Sequence, residues 1–431
     1  MRRDSRDHVP TVPKPTDPQV SKPHTLLSGV KSTSTFLPYG RQDIEEDDIA
    51  EVVRVLHSDY LTTGPEVPAF EAAFAAAVGA RHAIACANGT AALHLMAAAS
   101  NLGPTTVSIV PTLTFLATAN AVRLTGGEIQ FADVDAETGL MTPATLRAAI
   151  ARADKPVSAV FPVHLGGQTC DMPAIADIAS AAGARVFEDA CHAIGTRYAT
   201  TTGQHVVGDC THAAGCAFSL HPVKTIAAGE GGVVTTQDDT LAERVRLLRN
   251  HGMVRESSLF KQTDDAFAFD GRANPWYYEM SEPGLNFRLT DIQAALARSQ
   301  LAKLARFSNQ RQALAARYRQ RLGSLAPMIR SVRISQDCDP VLHLFQVLID
   351  FPSLGLDRAT LIDRLRECGI GSQVHYFPVH RQPYYSARYP GLQLTGADAF
   401  YAATLSLPLY ASMTDADVDR VVEALKMSIT R

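Results

Sequence analysis

No uncharged apolar run in the 431-residue chain approaches the roughly 20 residues of a membrane-spanning helix, and no apolar core follows Arg2-Arg3 near its start. Neither a membrane span nor a secretory leader is expected. No CxxC pair occurs among the seven cysteines, Cys86, Cys170, Cys191, Cys210, Cys216, Cys338 and Cys368. An odd and scattered set argues against a disulfide framework or a zinc site, and for buried, reduced thiols in a cytoplasmic protein. Charge of one sign is not in excess either: 40 Lys and Arg against 44 Asp and Glu give a net charge of −4. Nucleic acid finds no basic footprint here. With 46% hydrophobic and 19% charged residues, the composition is that of a globular protein able to bury a large core.

Residues 1–35 are rich in Pro, Ser, Thr and charge, with too few apolar groups to offset the entropy of ordering. They read as a flexible tail, and the acidic Asp4, Asp7 and Asp17 argue against a transit peptide. From Asp43 the pattern turns helical, with Ile44, Ile49, Val52, Val53 and Leu56 recurring at spacings near three and four. Short apolar, β-branched runs then alternate with helical segments: HAIACAN (82–88), TVSIVPT (106–112), EIQFADV (128–134), PVSAVFPV (156–163), ARVFEDA (184–190), AAGCAFSL (213–220) and GGVVTT (231–236). Thr142-Pro143 is a readable helix start, with Thr as cap and Pro in the first helical position. Strands alternating with helices predict an α/β domain whose mainly parallel sheet is covered on both faces.

A polar insertion follows at about 255–280. One long amphipathic helix is expected from Leu289-Thr290-Asp291 through RQRL. The remainder, with HLFQVLIDF (343–351), ATLIDRLRECG and IGSQVHYFPVH, reads as a smaller α+β domain. The expected division is therefore 36–290 for a large domain and 291–431 for the connecting helix and small domain.

Lys224 sits in FSLHPVKTIAAGEGG (218–232), otherwise small and apolar but for Glu230 and His221. A cation there either snorkels to solvent or is kept desolvated for chemistry, and that stretch alone does not decide. FEDACHAIG (187–195) puts Asp189 at the C-terminal end of a buried strand, where open α/β sheets gather their ligands, although a helix N-cap is the plainer role. In ANGTAALHL (87–95), Asn88-Gly89-Thr90 follows a strand and opens a helix, which makes either an ordinary cap or a phosphate site. Together, a phosphate cradle, a strand-end carboxylate and a desolvated lysine are the groups that hold pyridoxal 5′-phosphate. Lys224 would then condense with the cofactor aldehyde and later carry a proton, Asp189 would keep the pyridine nitrogen protonated, and Ser219 would add a hydroxyl to the phosphate.

FSLHPVKTIAAGEGGVVTT, FEDACHAIGT, NGTAALHL, PTLTFLATAN and GLNFRLTDIQAALA, in that family's set of motifs, resemble the DegT/DnrJ/EryC1/StrS family of sugar aminotransferases from about residue 36 to the C-terminus. The resemblance implies an aspartate aminotransferase-like fold (fold type I of the pyridoxal phosphate enzymes), Lys224 as the cofactor-bonding lysine, Asp189 on the pyridine nitrogen, and Gly89, Thr90 and Ser219 at the phosphate. It implies Phe115 stacked on the cofactor ring and His192 at the position where many members place a Gln on the phenolic oxygen. Asn286 corresponds to an asparagine that reaches the phosphate from a neighbouring subunit, so a homodimer with shared sites is implied, with L-glutamate as usual amino donor. From local sequence alone Phe115 could equally be a core aromatic, His192 a turn residue and Asn286 a helix-start cap.

PWYYEMSEPGLNFRLTDIQ, the HPVK form of the lysine motif and VHYFPVHRQPYY resemble the branch that makes the pseudaminic acid precursor from a UDP-linked 4-keto-6-deoxy sugar. The chain departs from that pattern in its long leader and in AAGEGG, where Thr-Thr is expected before Gly-Glu. Arg272, Trp276, His375, Tyr376 and Arg381 are the candidates for meeting a nucleotide-sugar substrate. His375 and His380 lie five apart, but without Cys or carboxylate partners nearby no metal site is expected. Two rivals remain: a dTDP-linked or 3-keto-sugar aminotransferase, and a non-catalytic regulator on the same scaffold. The second should tolerate loss of the lysine or its charge partners, all of which are present.

Overall fold

The computed structural model describes residues 36–262 and 264–430; the expected tail lies outside them. All seven apolar runs form one sheet, in the order His82–Cys86, Gly232–Thr236, Gly215–Ser219, Arg185–Asp189, Val157–Val160, Val107–Pro111, Glu128–Ala132. Only Gly232–Thr236 runs against its neighbours; the other pairings are parallel. Every residue of Val107–Pro111 and Gly232–Thr236 is buried, as expected for strands covered on both faces. The six parallel strands deliver their C-terminal ends to one edge, and the motifs with Asn88-Gly89-Thr90, Phe115, Asp189 and Ser219 through Lys224 emerge there.

Helices cover the sheet with caps that were readable in advance. Thr142 caps Pro143–Ala151 by accepting from the Thr145 N–H, and Asn88 caps Gly89–Ala99 by accepting from the Ala91 N–H at 2.9 Å. Thr290 likewise opens Asp291–Ala302 in a capping box with Gln293. The single helix expected from there is two, because the ladder breaks at Lys303 (φ −94°, ψ −1°) before Leu304–Leu322 begins. At that break the Lys303 ammonium meets Asp47 at 2.5 Å and Asp48 at 2.8 Å. An unbroken apolar period cannot reveal such a long-range tie.

A second apolar core lies around the antiparallel sheet of Ile329–Ser331, Phe345–Ile349 and Thr404–Leu407. Helices Leu304–Leu322, Arg358–Glu367 and Asp415–Thr430 pack on it through Leu314, Tyr318, Leu361, Leu365, Val418 and Leu425. The amphipathic helix Glu46–Leu56 is present, yet much of its apolar stripe faces outward: Ile49 is 47%, Val53 43% and Leu56 52% exposed. Among the described residues no helix is long and apolar enough to cross a membrane.

Candidate active site

The loop between Gly215–Ser219 and Gly232–Thr236 carries Lys224. It is closed by Leu220 N–H donating to Gly231 O at 2.8 Å and by Ala228 N–H donating to Leu220 O at 2.9 Å, while Lys224 N–H donates to His221 O at 2.8 Å. Ile226, Ala227 and Ala228 are buried, so the loop is pinned on its far side. The lysine is left half-buried at the edge of the sheet. No ion pair or side-chain hydrogen bond to its amine occurs among the described residues. Burial pushes the Lys224 amine below the usual lysine range, against the opposing influence of Cys191 and Asp189.

Gly89 and Thr90 form the first turn of their helix, where backbone N–H groups lack intrahelical partners and the dipole is positive. Gly89 packs against Ser219 so closely that an added Cβ would lie 2.9 Å from Ser219 Cβ and 3.2 Å from Cys191 Sγ. Gly232 is tighter still, with its would-be Cβ 2.2 Å from Asn88 O. Only glycine lets these backbones converge into a cradle lined by amides and the Ser219 hydroxyl.

Asp189 is buried, and its carboxylate is oriented from two sides: Oδ2 accepts from Thr118 Oγ1 at 2.6 Å and Oδ1 from Cys191 N–H at 3.2 Å. Among the described residues no cation pairs with it. Thr118 is in turn 2.7 Å from Thr114 Oγ1. Three residues beyond Asp189, His192 accepts from Gly166 N–H through Nδ1 at 3.2 Å. A backbone amide can only donate, so the ring proton of the neutral imidazole is on Nε2, 3.1 Å from Tyr376 Oη. Burial first, then the charges of Lys224 and His375, hold His192 well below the ordinary imidazole range.

A cleft of about 690 Å³ unites these groups. Gly89, Thr90, Phe115, Asp189, His192, Ser219, Lys224, His375 and Tyr376 all line it. Phe115 is 57% exposed, with its ring 6.0 Å from that of Tyr376, which is unlike a core aromatic. His375 is buried, hydrogen-bonded through Nδ1 to Ser406 Oγ at 2.8 Å and pushed down to about 3 by burial and then by Lys224. His380 instead pairs with Thr112 Oγ1 at 2.7 Å, so the two histidines serve separate contacts. Among the described residues no group of three or more His, Cys, Asp or Glu is placed to hold a metal ion.

Four sequence candidates lie outside this cleft. Asn286 is exposed, Trp276 is 74% exposed, Arg272 pairs with Asp270 at 2.7 Å, and Arg381 pairs with Asp398 at 3.3 Å over the rings of Phe377 and Tyr401. Conversely, Tyr39 lines the cleft, with its ring 5.4 Å from that of His375, and sequence reasoning missed it. Thr118 and Gly166 were missed as well. Thr118 at least lay inside the quoted TFLATAN motif, in the turn after Phe115.

These features fit pyridoxal 5′-phosphate. The glycine cradle presents N–H groups to a phosphate, Asp189 has carboxylate capacity left for a ring N–H, Phe115 offers a face for the ring, and the unpaired Lys224 amine is available to an aldehyde.

Comparison with known proteins points the same way. Residues 42–426 match the DegT/DnrJ/EryC1/StrS aminotransferase family. The chain is 39% identical over 400 residues to the spore coat polysaccharide biosynthesis protein SpsC of Bacillus subtilis, covering 92% of this chain and 98% of that one. Among solved structures it is similar to Helicobacter pylori PseC, an aminotransferase involved in the biosynthesis of pseudoaminic acid, with TM-score 0.81, 25% identity and coverage of 92% of this chain and 100% of the other. It is also similar to DesI, solved in the presence of its TDP-sugar product, with TM-score 0.79, 28% identity and coverage of 94% and 95%.

Proposed function

The chain belongs to the DegT/DnrJ/EryC1/StrS aminotransferase family, whose members are pyridoxal 5′-phosphate-dependent sugar aminotransferases, and on that basis we propose that it moves an amino group from L-glutamate to C4 of a UDP-linked 4-keto-6-deoxy sugar. The observation that carries the catalytic reading is a half-buried Lys224 sharing one cleft with a buried Asp189, neither of them in an ion pair among the described residues. A regulator without chemistry has no use for that pair.

When bound, the cofactor supplies an aldehyde that takes up an amino group and a ring that accepts electrons as a proton leaves the substrate carbon. The chain's residues do the rest. The Gly89 and Thr90 amides with Ser219 hold the phosphate, Phe115 covers the ring, and the Asp189 carboxylate keeps the ring nitrogen protonated. Lys224, its amine made more available by burial, serves as nucleophile and then moves the proton at the reacting carbon.

The preferred acceptor is UDP-2-acetamido-2,6-dideoxy-β-L-arabino-hex-4-ulose, giving UDP-4-amino-4,6-dideoxy-N-acetyl-β-L-altrosamine. Likeness to PseC and the VHYFPVHRQPYY loop support it, whereas likeness to DesI favours a dTDP-linked acceptor as the second reading. The test is to convert the enzyme to its pyridoxamine form, offer UDP- and dTDP-linked 4-keto and 3-keto sugars, and follow the return of the aldehyde-form absorbance. The UDP-linked 4-keto sugar should restore it fastest. A faster dTDP-linked or 3-keto sugar would overturn the acceptor while leaving the aminotransferase assignment standing.

A homodimer with shared sites is part of the proposal. Among the described residues Lys224 is the sole Lys or Arg lining the cleft, yet a nucleotide diphosphate and a cofactor phosphate bring several negative charges. Cations from a second subunit would balance them, and the outward stripe of Ile49, Val53 and Leu56 offers apolar surface for association. Lys224→Ala and Asn286→Ala homodimers should each be nearly inactive, whereas a mixed dimer regains one intact site of its two. Verified heterodimers with no recovery, where Asn286→Ala alone is severe, would contradict sharing. A cytoplasmic setting is also proposed, supported by seven cysteines that are all unpaired.

A further inference from the structure

The side chains of His164 and Glu188 have no chemical role assigned so far, yet both are fully buried. His164 Nε2 lies 2.6 Å from Glu188 Oε2, with side chains 0% and 2% exposed. His164 Nδ1 accepts from Cys170 N–H at 3.3 Å, so the ring proton is on Nε2 and is donated to Glu188. Glu188 directly precedes Asp189 in its strand, so the two carboxylates point to opposite faces of the sheet. His164 N–H also donates to Asp189 O at 3.1 Å. The segment from His164 to Cys170 is thus tied, by ring and by backbone, to the strand that bears Asp189.

Within that segment Gly166 (φ +71°) and Gly167 (φ +107°) adopt backbone conformations that favour glycine. Gly166 N–H meets His192 Nδ1 at 3.2 Å, and Gly166 O accepts from His343 N–H at 2.9 Å and Leu344 N–H at 3.2 Å. There is little slack: a Cβ on Gly167 would lie 2.4 Å from Val341 O and 3.1 Å from His192 O. A neutral histidine can carry its proton on either nitrogen. At His192, only the Nε2–H form can accept the Gly166 amide.

We propose that the buried His164–Glu188 pair is a positioning device: through Gly166 it holds His192 in the Nε2–H tautomer, so that His192 presents a fixed hydrogen-bond donor to the cofactor cleft. The inference rests on the cofactor reading of the cleft, but the tautomer is a property of the chain itself.

The test is ¹⁵N NMR of histidine-labelled protein, with and without pyridoxal 5′-phosphate, assigning His192 by its loss in His192→Gln. Wild-type His192 should show a protonated Nε2 and a bare Nδ1. His164→Phe and Glu188→Leu should give mixed tautomers and weaken cofactor binding roughly tenfold, about the effect of one hydrogen bond. Glu188→Gln, which still accepts from His164, should keep the wild-type pattern. If His164→Phe does not fold, Glu188→Leu, which keeps the histidine ring and its bond from Cys170 N–H but removes the carboxylate, carries the test alone. A folded disruptive variant with unchanged His192 signals and cofactor affinity would overturn the proposal and leave the pair a purely structural contact. Failure of the wild-type protein to bind the cofactor would instead overturn the reading of the cleft.

Discussion

Lys224→Ala should abolish transamination, with a loss of at least about 10⁴-fold in kcat, while the protein stays folded. The two effects separate because of how the lysine is held. Its backbone N–H bond to His221 O survives the substitution, and the loop is anchored by Ile226, Ala227 and Ala228. The side chain that is lost makes no ion pair among the described residues, and its charge is disfavoured by burial. Removing it should change stability by no more than about 1 kcal/mol. Thermal unfolding and steady-state turnover measured on one preparation check both halves. Wild-type turnover in the variant would remove Lys224 from the chemistry, and loss of folding would give it a structural role instead.

Asp189→Asn has the second largest effect, for an electrostatic reason. The two side chains are nearly isosteric, and the oxygen that remains can still accept from Cys191 N–H. The new NH₂ faces Thr118, whose hydroxyl can rotate to accept it and donate toward Thr114 or Phe115 O. The stability cost is therefore about 1 kcal/mol. What disappears is the negative charge that, in the proposed site, would keep the ring nitrogen protonated. Proton removal from the substrate carbon should slow by roughly 10²- to 10³-fold, the range for losing one preorganised electrostatic contact. Single-turnover rates with glutamate decide it. Unchanged rates would mean that the carboxylate only shapes the strand end.

How far the sequence went is clear from particular residues. The seven sheet strands were legible because short β-branched runs buried on both faces leave an unambiguous pattern, and Asn88, Thr142 and Thr290 marked their helix starts by side-chain chemistry. Asp189 and Ser219 were legible because each ends such a strand, and Gly89 and Lys224 because each follows one within a few residues. The supports of the site were not. Thr118 meets Asp189 across 71 positions and Gly166 meets His192 across 26, and no local pattern encodes contacts of that range. The stripe on Glu46–Leu56 was visible as a period, but a period does not say what covers it. Asn286 and Trp276 lie outside the cleft, and no local pattern says which exposed side chain meets a ligand.

The central claim is that Lys224 bonds covalently to pyridoxal 5′-phosphate, and borohydride reduction of the holoenzyme followed by peptide mapping tests it most directly. The account predicts a pyridoxyl phosphate mass on the peptide containing Lys224 and on no other lysine, and its absence after prior conversion to the pyridoxamine form with glutamate. A label on a different lysine, or no label on protein that demonstrably carries the cofactor, would contradict it.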